Sequence, residues 1–255
     1  MYPDLVTIGD YVVPPYSFLL WFGIGVGVLV ALRMGRRAGF SDRDLLVPAA
    51  WAIGVALVGA RAFSVLFDGG FDRYLRQPLR VFEFWNGGLV YYGGLLGGML
   101  GAWWGARKRK VPFLDLADLF APAVTVGLGF GRIGCLLSGC CYGAPTDFPI
   151  AITYTNPASH VSPLNEPLHA APLYEAVAAF AIGIWLVRRY VQRKFSGDVL
   201  SMALLLYAPV RFAIELLRAD SRGEMAALST SQWISLGLFA VGILLRRRPA
   251  RRRLV

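Results

Sequence analysis

The sequence predicts an all-α, polytopic membrane protein with about seven transmembrane helices, and three observations support this fold class. First, 56% of the 255 residues are hydrophobic and 16% are charged, whereas a soluble domain is close to half apolar and a quarter charged. Second, the apolar residues form seven stretches with short connections between them. Third, all but three of the 26 Lys and Arg residues lie between or beyond those stretches.

The seven stretches leave little of the chain for a separate soluble unit, so residues 1–255 are expected to form a single integral membrane domain. The fifth stretch is the shortest unless it extends through Val187 and Tyr190. Glycines such as Gly93 and Gly94 are frequent inside the stretches and are expected to let helices pack closely. In chain order, the predicted spans are 16–32, 44–67, 87–106, 116–137, 173–186, 199–217 and 231–245.

The distribution of basic residues predicts the orientation. The segments after spans one, three and five, together with the C-terminal tail, hold 18 Lys and Arg residues, whereas the opposite side holds five. Because Lys and Arg collect in cytoplasmic loops, we expect the N-terminus outside and the C-terminus in the cytoplasm. A basic cytoplasmic face beside anionic membrane lipid explains the net charge of +10, so no nucleic-acid partner is expected. The first span lacks the features of a cleaved signal peptide and is expected to remain.

Three arginines are the exceptions that lie inside spans. Arg61, Arg132 and Arg211 fall near the outward ends of spans two, four and six. A charge within the bilayer costs about 2.5–3.5 kcal/mol on insertion scales, so it usually marks a functional site. At 1.5 Å per residue, each arginine lies on the order of 10 Å inside the outer boundary. The shared depth predicts that the three guanidinium groups form one site.

Polar residues at the same depth extend this predicted site. Tyr16 begins span one, and Tyr92 lies at the same depth in span three. Tyr207 and Glu215 each lie one helical turn from Arg211 on the same face. One alternative is structural: each arginine pairs with Glu215 or helix-end carbonyls, or extends to the interface. Glu215 is the one obvious acid among the spans, so the excess positive charge predicts an anionic ligand. A phospholipid phosphate fits, because guanidinium groups bind phosphate oxygens as a fork.

The residues around Arg132 resemble a known family. The segment Gly-Leu-Gly-Phe-Gly-Arg-Ile-Gly-Cys-Leu-Leu-Ser-Gly-Cys-Cys-Tyr-Gly at 127–143 is similar to the signature segment of prolipoprotein diacylglyceryl transferases, which are integral membrane enzymes. The resemblance covers nearly the whole chain, and the family's seven spans with an outward N-terminus agree with the predicted topology. Other matching pieces are Gly59-Ala-Arg61, Gly87-Gly88 with Gly93-Gly94, His169-Ala-Ala-Pro-Leu-Tyr-Glu175, Tyr207-Ala-Pro-Val-Arg211, Glu215-Leu-Leu-Arg218 and Ser231-Gln232.

The resemblance implies an activity and a set of site residues. Such enzymes move the diacylglyceryl group of phosphatidylglycerol to the thiol of a lipobox cysteine in a preprolipoprotein signal peptide, at the outer leaflet of the inner (plasma) membrane. No cofactor is implied, since arginines remain charged without a metal. Arg132 and Arg211 would hold the lipid headgroup during the reaction. The other implied substrate-binding residues are Tyr16, Arg61, Gly143, Tyr207, Glu215 and Arg218.

Three positions depart from the family pattern. Tyr92 stands where the family has a histidine, Cys135 where it has asparagine, and Cys140 where it has glutamate. The reaction needs a thiolate nucleophile as well as charge stabilisation on the departing phosphate. Tyr92, whose pKa a nearby arginine could lower, and His169 are therefore the further candidate catalytic residues. A relative with another acceptor, or without activity, stays an alternative.

The cysteines and the long connection at 138–172 have their own alternatives. Cys135 and Cys140 are five residues apart, so on a regular helix their side chains diverge by about 140°. They are expected to pack as small buried residues, to form a bridge, or to include a reactive thiol. No metal is expected, because histidines are few and the spacing matches no common zinc pattern. The connection is rich in proline and is expected to be a lid or an acceptor-docking segment, with His169 catalytic or merely capping.

A second function from another class is a transporter or flippase for an anionic lipid or metabolite. Glycine-rich, interrupted helices around a charged site are common in transporters. The shallow placement of the arginines and the lack of detectable internal repeats weigh against this alternative. A non-catalytic lipid-binding relative, which kept the headgroup arginines, is the third.

Overall fold

The computed structural model of the chain describes residues 6–8, 11–67, 77–82, 90–159, 161–218, 224–225 and 228–247. Some sequence predictions therefore lie outside the described residues. These are Arg73, Arg76, Gly87, Gly88, His160, Arg222 and the side chain of Tyr92.

Seven α-helices fill most of the described chain, and each predicted span coincides with one of them. The fifth helix does extend through Val187 and Tyr190, as its weak pattern required. The helices are α1 (Pro15–Arg37), α2 (Asp42–Phe67), α3 (Tyr91–Arg109), α4 (Phe113–Ser138), α5 (Ala171–Tyr190), α6 (Asp198–Glu215) and α7 (Thr230–Arg246). A 3₁₀ helix (Pro78–Phe82) and three antiparallel strand pairs complete the elements: β1 (Val6–Ile8) with β2 (Tyr11–Val13), β3 (Ile152–Thr153) with β4 (Pro167–Leu168), and β5 (Glu224–Met225) with β6 (Leu228–Ser229).

Among the described residues, four helices are long and apolar enough to cross a membrane: α1, α2, α4 and α5. α7 is apolar but shorter. Length and composition of the described helices thus confirm a mostly helical membrane protein. Seven crossings and the orientation of the termini remain predictions.

The chain divides into two compact units, one of residues 32–116 and one of residues 1–31 with 117–255. In the first unit, α2 and α3 pack backbone to backbone. A Cβ added to Gly93 would collide with the carbonyl oxygen of Gly59, and one added to Gly101 would collide with that of Trp51. The packing role predicted for Gly93 is therefore confirmed, and these residues allow the close approach that apolar helices use in lipid.

In the second unit, α4 packs against α1 and α5. A Cβ on Gly23 would lie 2.7 Å from the carbonyl oxygen of Gly127, and one on Gly183 would lie 2.7 Å from Cγ2 of Val126. The buried carboxylate of Asp118 accepts hydrogen bonds from the backbone N–H groups of Gly197 and Leu200, at 2.8 and 2.9 Å. Asp118 thereby ties α4 to the N-terminus of α6, where a carboxylate also suits the helix dipole.

The connection between α4 and α5 is folded around its own small core. Tyr154, Val161 and Leu168 are buried together, and β3 pairs with β4. The hydroxyl of Tyr142 donates to the carbonyl oxygen of Ser162 at 2.7 Å. Proline-rich composition therefore coincides here with an ordered segment rather than with an extended loop.

Candidate active site

Glu175 lies at the centre of a cluster of ionised side chains from three helices. Its carboxylate, on α5, is fully buried and lies 3.0 Å from Nε of Arg132 on α4. The same oxygen lies 3.9 Å from Nε of Arg211 on α6 and accepts a hydrogen bond from the hydroxyl of Tyr207. One carboxylate oxygen therefore lies within ion-pair distance of two guanidinium groups and accepts a hydrogen bond from a phenol.

Arg211 has a second set of partners at the C-terminal end of α6. Its Nη1 lies 2.7 Å from Oε2 of Glu215, one helical turn on, as the spacing predicted. Its Nη2 donates to Oγ of Ser231 on α7 at 3.1 Å. Ser229 donates its hydroxyl to Oε1 of Glu215 at 2.9 Å and, as the N-cap of α7, accepts from the backbone of Gln232. The start of α7 is thus built into the same cluster.

Arg218 and Gly143 continue the cluster towards the α4–α5 connection. Nε of Arg218 lies 4.0 Å from Oε2 of Glu215, and the backbone of Arg218 forms a β-bridge with Gly143. The N–H of Gly143 donates to the carbonyl oxygen of His169 at 2.9 Å. A Cβ at position 143 would lie 2.5 Å from Cβ of His169 and 2.7 Å from the carbonyl oxygen of Leu217. Only glycine fits between these two chain segments.

The cluster carries one positive charge in excess, because three arginines face two carboxylates. Exposure of the side chains of Arg132 and Arg211 is only 16% and 10%, so the excess charge is poorly screened by water. The expectation that Glu215 is the one acid among the spans is wrong, since Glu175 balances a second arginine. Burial of that excess charge favours an anionic ligand, as the sequence suggested, but with a smaller imbalance.

Glu175 is a candidate site residue that sequence reasoning missed. It was named only as the last residue of the segment from His169 that resembles the family, and no role in the site was assigned to it. It lies inside the predicted fifth span, and an acid inside a span is itself a signal of function. Its Oε2 atom is buried and has no hydrogen-bond partner in the described part of the chain, which is uncommon for a buried carboxylate oxygen.

Tyr16 and His169, two further predicted site residues, have no side-chain contact with Glu175 among those that the structure gives. Tyr16, on α1, is 41% exposed, and its Cα would lie 2.9 Å from a Cβ added to Gly134 on α4. The ring of His169 lies beside the hydroxyl of Tyr174 at 3.5 Å and beside the ring of Phe148. His169 therefore joins the cluster through its backbone, and its catalytic role stays a prediction, as does that of Tyr92.

Arg61 belongs to the other compact unit. Its guanidinium donates to the carbonyl oxygens of Val81, at 3.0 Å, and of Arg80, which end the 3₁₀ helix. These bonds match the structural alternative, in which an intramembrane arginine satisfies helix-end carbonyls. Its convergence with Arg132 and Arg211 remains a prediction.

The three cysteines meet where α4 ends. The N–H of Cys140 donates to the carbonyl oxygen of Cys135 at 3.0 Å, that of Gly139 donates to Leu136 at 3.4 Å, and Gly139 has φ of 71°. This pair of bonds is a Schellman motif, which folds the chain back over the last helical turn. The expected divergence of the Cys135 and Cys140 side chains is therefore wrong, because the helix stops at Ser138. All three sulfur atoms lie within 4.8 Å of one another, and none is in a disulfide.

The surroundings of Cys140 and Cys141, the two cysteines that follow α4, shift the pKa values of their thiols in opposite directions. Hydrogen bonds with the thiols of Cys135 and Cys140, together with the positive charge of Arg218, hold the pKa of Cys141 below its ordinary value. Hydrogen bonds with Cys135 and Cys141 raise the pKa of Cys140. The thiol of Cys141 is thus more readily ionised than that of Cys140.

The chain is similar to known proteins over most of its length. Residues 3–247 match the family model described as prolipoprotein diacylglyceryl transferase. A phosphatidylglycerol–prolipoprotein diacylglyceryl transferase of Clostridium perfringens is 34% identical over 90% of this chain and 88% of its own length. Proteins of the same name from Finegoldia magna and Pseudomonas fluorescens are 32% and 34% identical, over 91% and 92% of this chain and 89% and 86% of their own lengths. The chain therefore belongs to the prolipoprotein diacylglyceryl transferase family.

Proposed function

We propose that this chain transfers the diacylglyceryl group of phosphatidylglycerol to the thiol of a lipobox cysteine in a preprolipoprotein signal peptide. The observation that carries the proposal is the pairing of Arg132 and Arg211 with the buried Glu175, in a chain whose relatives are named for this transfer over about nine-tenths of its length. The products are a thioether on the acceptor and glycerol phosphate.

The two arginines suit the phosphate of the lipid headgroup. Because Nε of Arg132 faces Glu175, the terminal nitrogens of Arg132 are placed to form a fork with phosphate oxygens. Arg211 is already oriented by Glu175, Glu215 and Ser231, so little rearrangement is required when an anion arrives. Phosphatidylglycerol supplies the anion.

The reaction is a substitution at a glycerol carbon. A sulfur–carbon bond forms, and the carbon–oxygen bond to the phosphate breaks with its electron pair passing to the phosphate oxygen. Negative charge therefore grows on the leaving group, where Arg132 and Arg211 stabilise it. Tyr207, Glu215, Arg218 and Gly143 hold this arrangement in place, and Tyr16, Tyr92 and His169 complete the proposed substrate and acceptor site.

The proposal includes a membrane arrangement. The seven helices cross the inner (plasma) membrane with the N-terminus outside and the C-terminus in the cytoplasm, as the basic residues favour. Arg132 and Arg211 then lie towards the outer leaflet, and residues 138–172 face the acceptor peptide. Arg61 remains a proposed substrate-binding residue.

The test is a transfer assay with purified protein, phosphatidylglycerol and a lipobox peptide. Arg132→Ala and Arg211→Ala are expected to lower the rate at least about 100-fold, the scale of losing one preorganised charge-stabilising group. Arg132→Lys and Arg211→Lys should fail as well, because an ammonium lacks the planar fork. Arg107→Ala is the matched control, since Arg107 is an exposed arginine near the end of α3 and should keep the wild-type rate.

Two results would overturn the proposal. One is wild-type activity in both arginine-to-alanine variants when each is inserted and folded. The other is translocation of fluorescent phosphatidylglycerol across vesicles without any modified peptide, which is the behaviour of a flippase.

A further inference from the structure

The thiols of Cys135, Cys140 and Cys141 form a group of metal-ligand geometry. Their sulfur atoms all lie within 4.8 Å of one another, and zinc with bonds of about 2.3 Å to sulfur places tetrahedral thiolates roughly 3.8 Å apart. Closing the group around an ion therefore needs only small side-chain movements. Sequence spacing did not reveal this group, because Cys135 lies on α4 and meets the other two thiols only through the turn that ends the helix.

The backbone fixes this group before any ion binds. The Schellman bonds hold Cys140 over Cys135, and Cys141 follows with φ of 63°. A Cβ on Gly139 would lie 2.9 Å from Cβ of Ser159, so the turn is packed tightly against the core of the α4–α5 connection. A preorganised group of donors loses little conformational entropy on binding.

The donor set selects a soft metal and leaves a position open. Thiolates favour zinc and other thiophilic ions over magnesium or calcium. In the described part of the chain, no further His, Asp, Glu or Cys ligand atom joins the three sulfurs. Zinc sites with three protein ligands keep the fourth tetrahedral position for water or substrate.

The surrounding charges match such a centre. Three thiolates around a divalent ion carry one net negative charge. The side chain of Arg218 hydrogen-bonds to Cys141, and Arg132 precedes Cys135 by one turn of α4. Hydrogen bonds from cationic groups to ligand sulfurs are the outer-shell contacts that orient and stabilise metal sites.

We propose that Cys135, Cys140 and Cys141 bind one thiophilic divalent ion, represented by Zn²⁺, whose open position takes the thiolate of the acceptor cysteine. The second part rests on the proposed function. The acceptor thiol loses its proton to solvent on binding, because a coordinated thiol is deprotonated outright. Its sulfur then forms the bond to the glycerol carbon, and the phosphate leaves with the electron pair of the broken carbon–oxygen bond.

Metal binding is measured first and without lipid, so that it is independent of the proposed transfer. The full chain, purified in detergent with a reductant and then freed of it, is dialysed against Zn²⁺ and analysed for metal content. About one zinc per chain is expected, and Co²⁺ should give sulfur-to-metal charge-transfer absorption. Cys135→Ser and Cys141→Ser should each weaken zinc binding at least about 100-fold, more than loss of an outer-shell contact. Ser138→Ala, in the same turn, is the control and should bind as the wild type does.

Two results would overturn metal binding. One is a zinc content no higher than that of the triple Cys→Ser variant. The other is a disulfide among the three cysteines, detected by intact mass in protein that was alkylated before extraction. For the acceptor step, chelation should abolish transfer to the lipobox peptide while leaving phosphatidylglycerol binding unchanged, and Zn²⁺ should restore it. Full transfer by the chelated protein would overturn the acceptor step. Zinc binding with no transfer under any condition would instead contradict the proposed function.

Discussion

The α2–α3 pair and the α4–α7 cluster differ in the contacts that join their helices. α2 and α3 meet through glycine backbones, with Gly93 against Gly59 and Gly101 against Trp51. The other region brings helices together around Arg132, Glu175 and Arg211. Close glycine packing is sufficient to join helices, whereas buried ion pairs often stabilise less than apolar residues of the same size would. The difference fits the proposed function, in which the charges bind substrate and the glycines serve assembly.

Removing the shared carboxylate should give the largest effect that separates the two regions. Glu175→Gln removes the negative charge between Arg132 and Arg211, and breaking a buried ion pair destabilises by about 3–5 kcal/mol. Transfer to a lipobox peptide should fall at least about 100-fold, a size set by the misplacement of charge-stabilising groups. Glu166→Gln, which alters an exposed glutamate of the α4–α5 connection, should leave the rate unchanged. Equal rates in the two variants would contradict the central role of Glu175.

Adding one methyl group to the glycine-packed pair should give an effect of intermediate size, on stability rather than on chemistry. Gly93→Ala must separate α2 from α3, and overpacking costs typically about 1–3 kcal/mol of the free energy of unfolding. Thermal unfolding in detergent measures this loss. The control is Gly54→Ala on α2, because a Cβ there meets nothing within 4 Å. If both variants unfolded at the same temperature, close packing at Gly93 would not stabilise the pair.

Removing one neutral donor from the charged cluster should give the smallest effect. Tyr207→Phe deletes the hydroxyl that donates to Glu175, and a hydrogen bond to a charged group contributes about 1.5–3 kcal/mol. The two guanidinium groups still hold the carboxylate, so the transfer rate should fall by about 10-fold, near the lower end of that range. Tyr190→Phe is the matched control, since the buried hydroxyl of Tyr190 has no hydrogen-bond partner within the described ranges. A rate for Tyr207→Phe equal to that of the control would remove Tyr207 from the site.

Much of this architecture was predictable because a helix that crosses lipid requires a long apolar stretch of sequence. The helices follow from apolar length, and the pairing of Arg211 with Glu215 follows from one-turn spacing. Contacts between elements were not predictable in this way. Glu175 received no role in the site because its partners come from other helices, and the divergence of Cys135 and Cys140 holds only for a helix that continues past Ser138. Gly139 was the available signal, since glycine after an apolar helix often folds the chain back.

The attachment of α6 at both ends has a consequence for the speed of the chemistry. Asp118 fastens its first turn, and Glu215 with Ser229 and Ser231 fastens its last. In the proposed reaction, the guanidinium of Arg211 on this restrained helix moves little when the substrate carbon is attacked. The reorganisation energy that water or a mobile side chain would add to the barrier is therefore small.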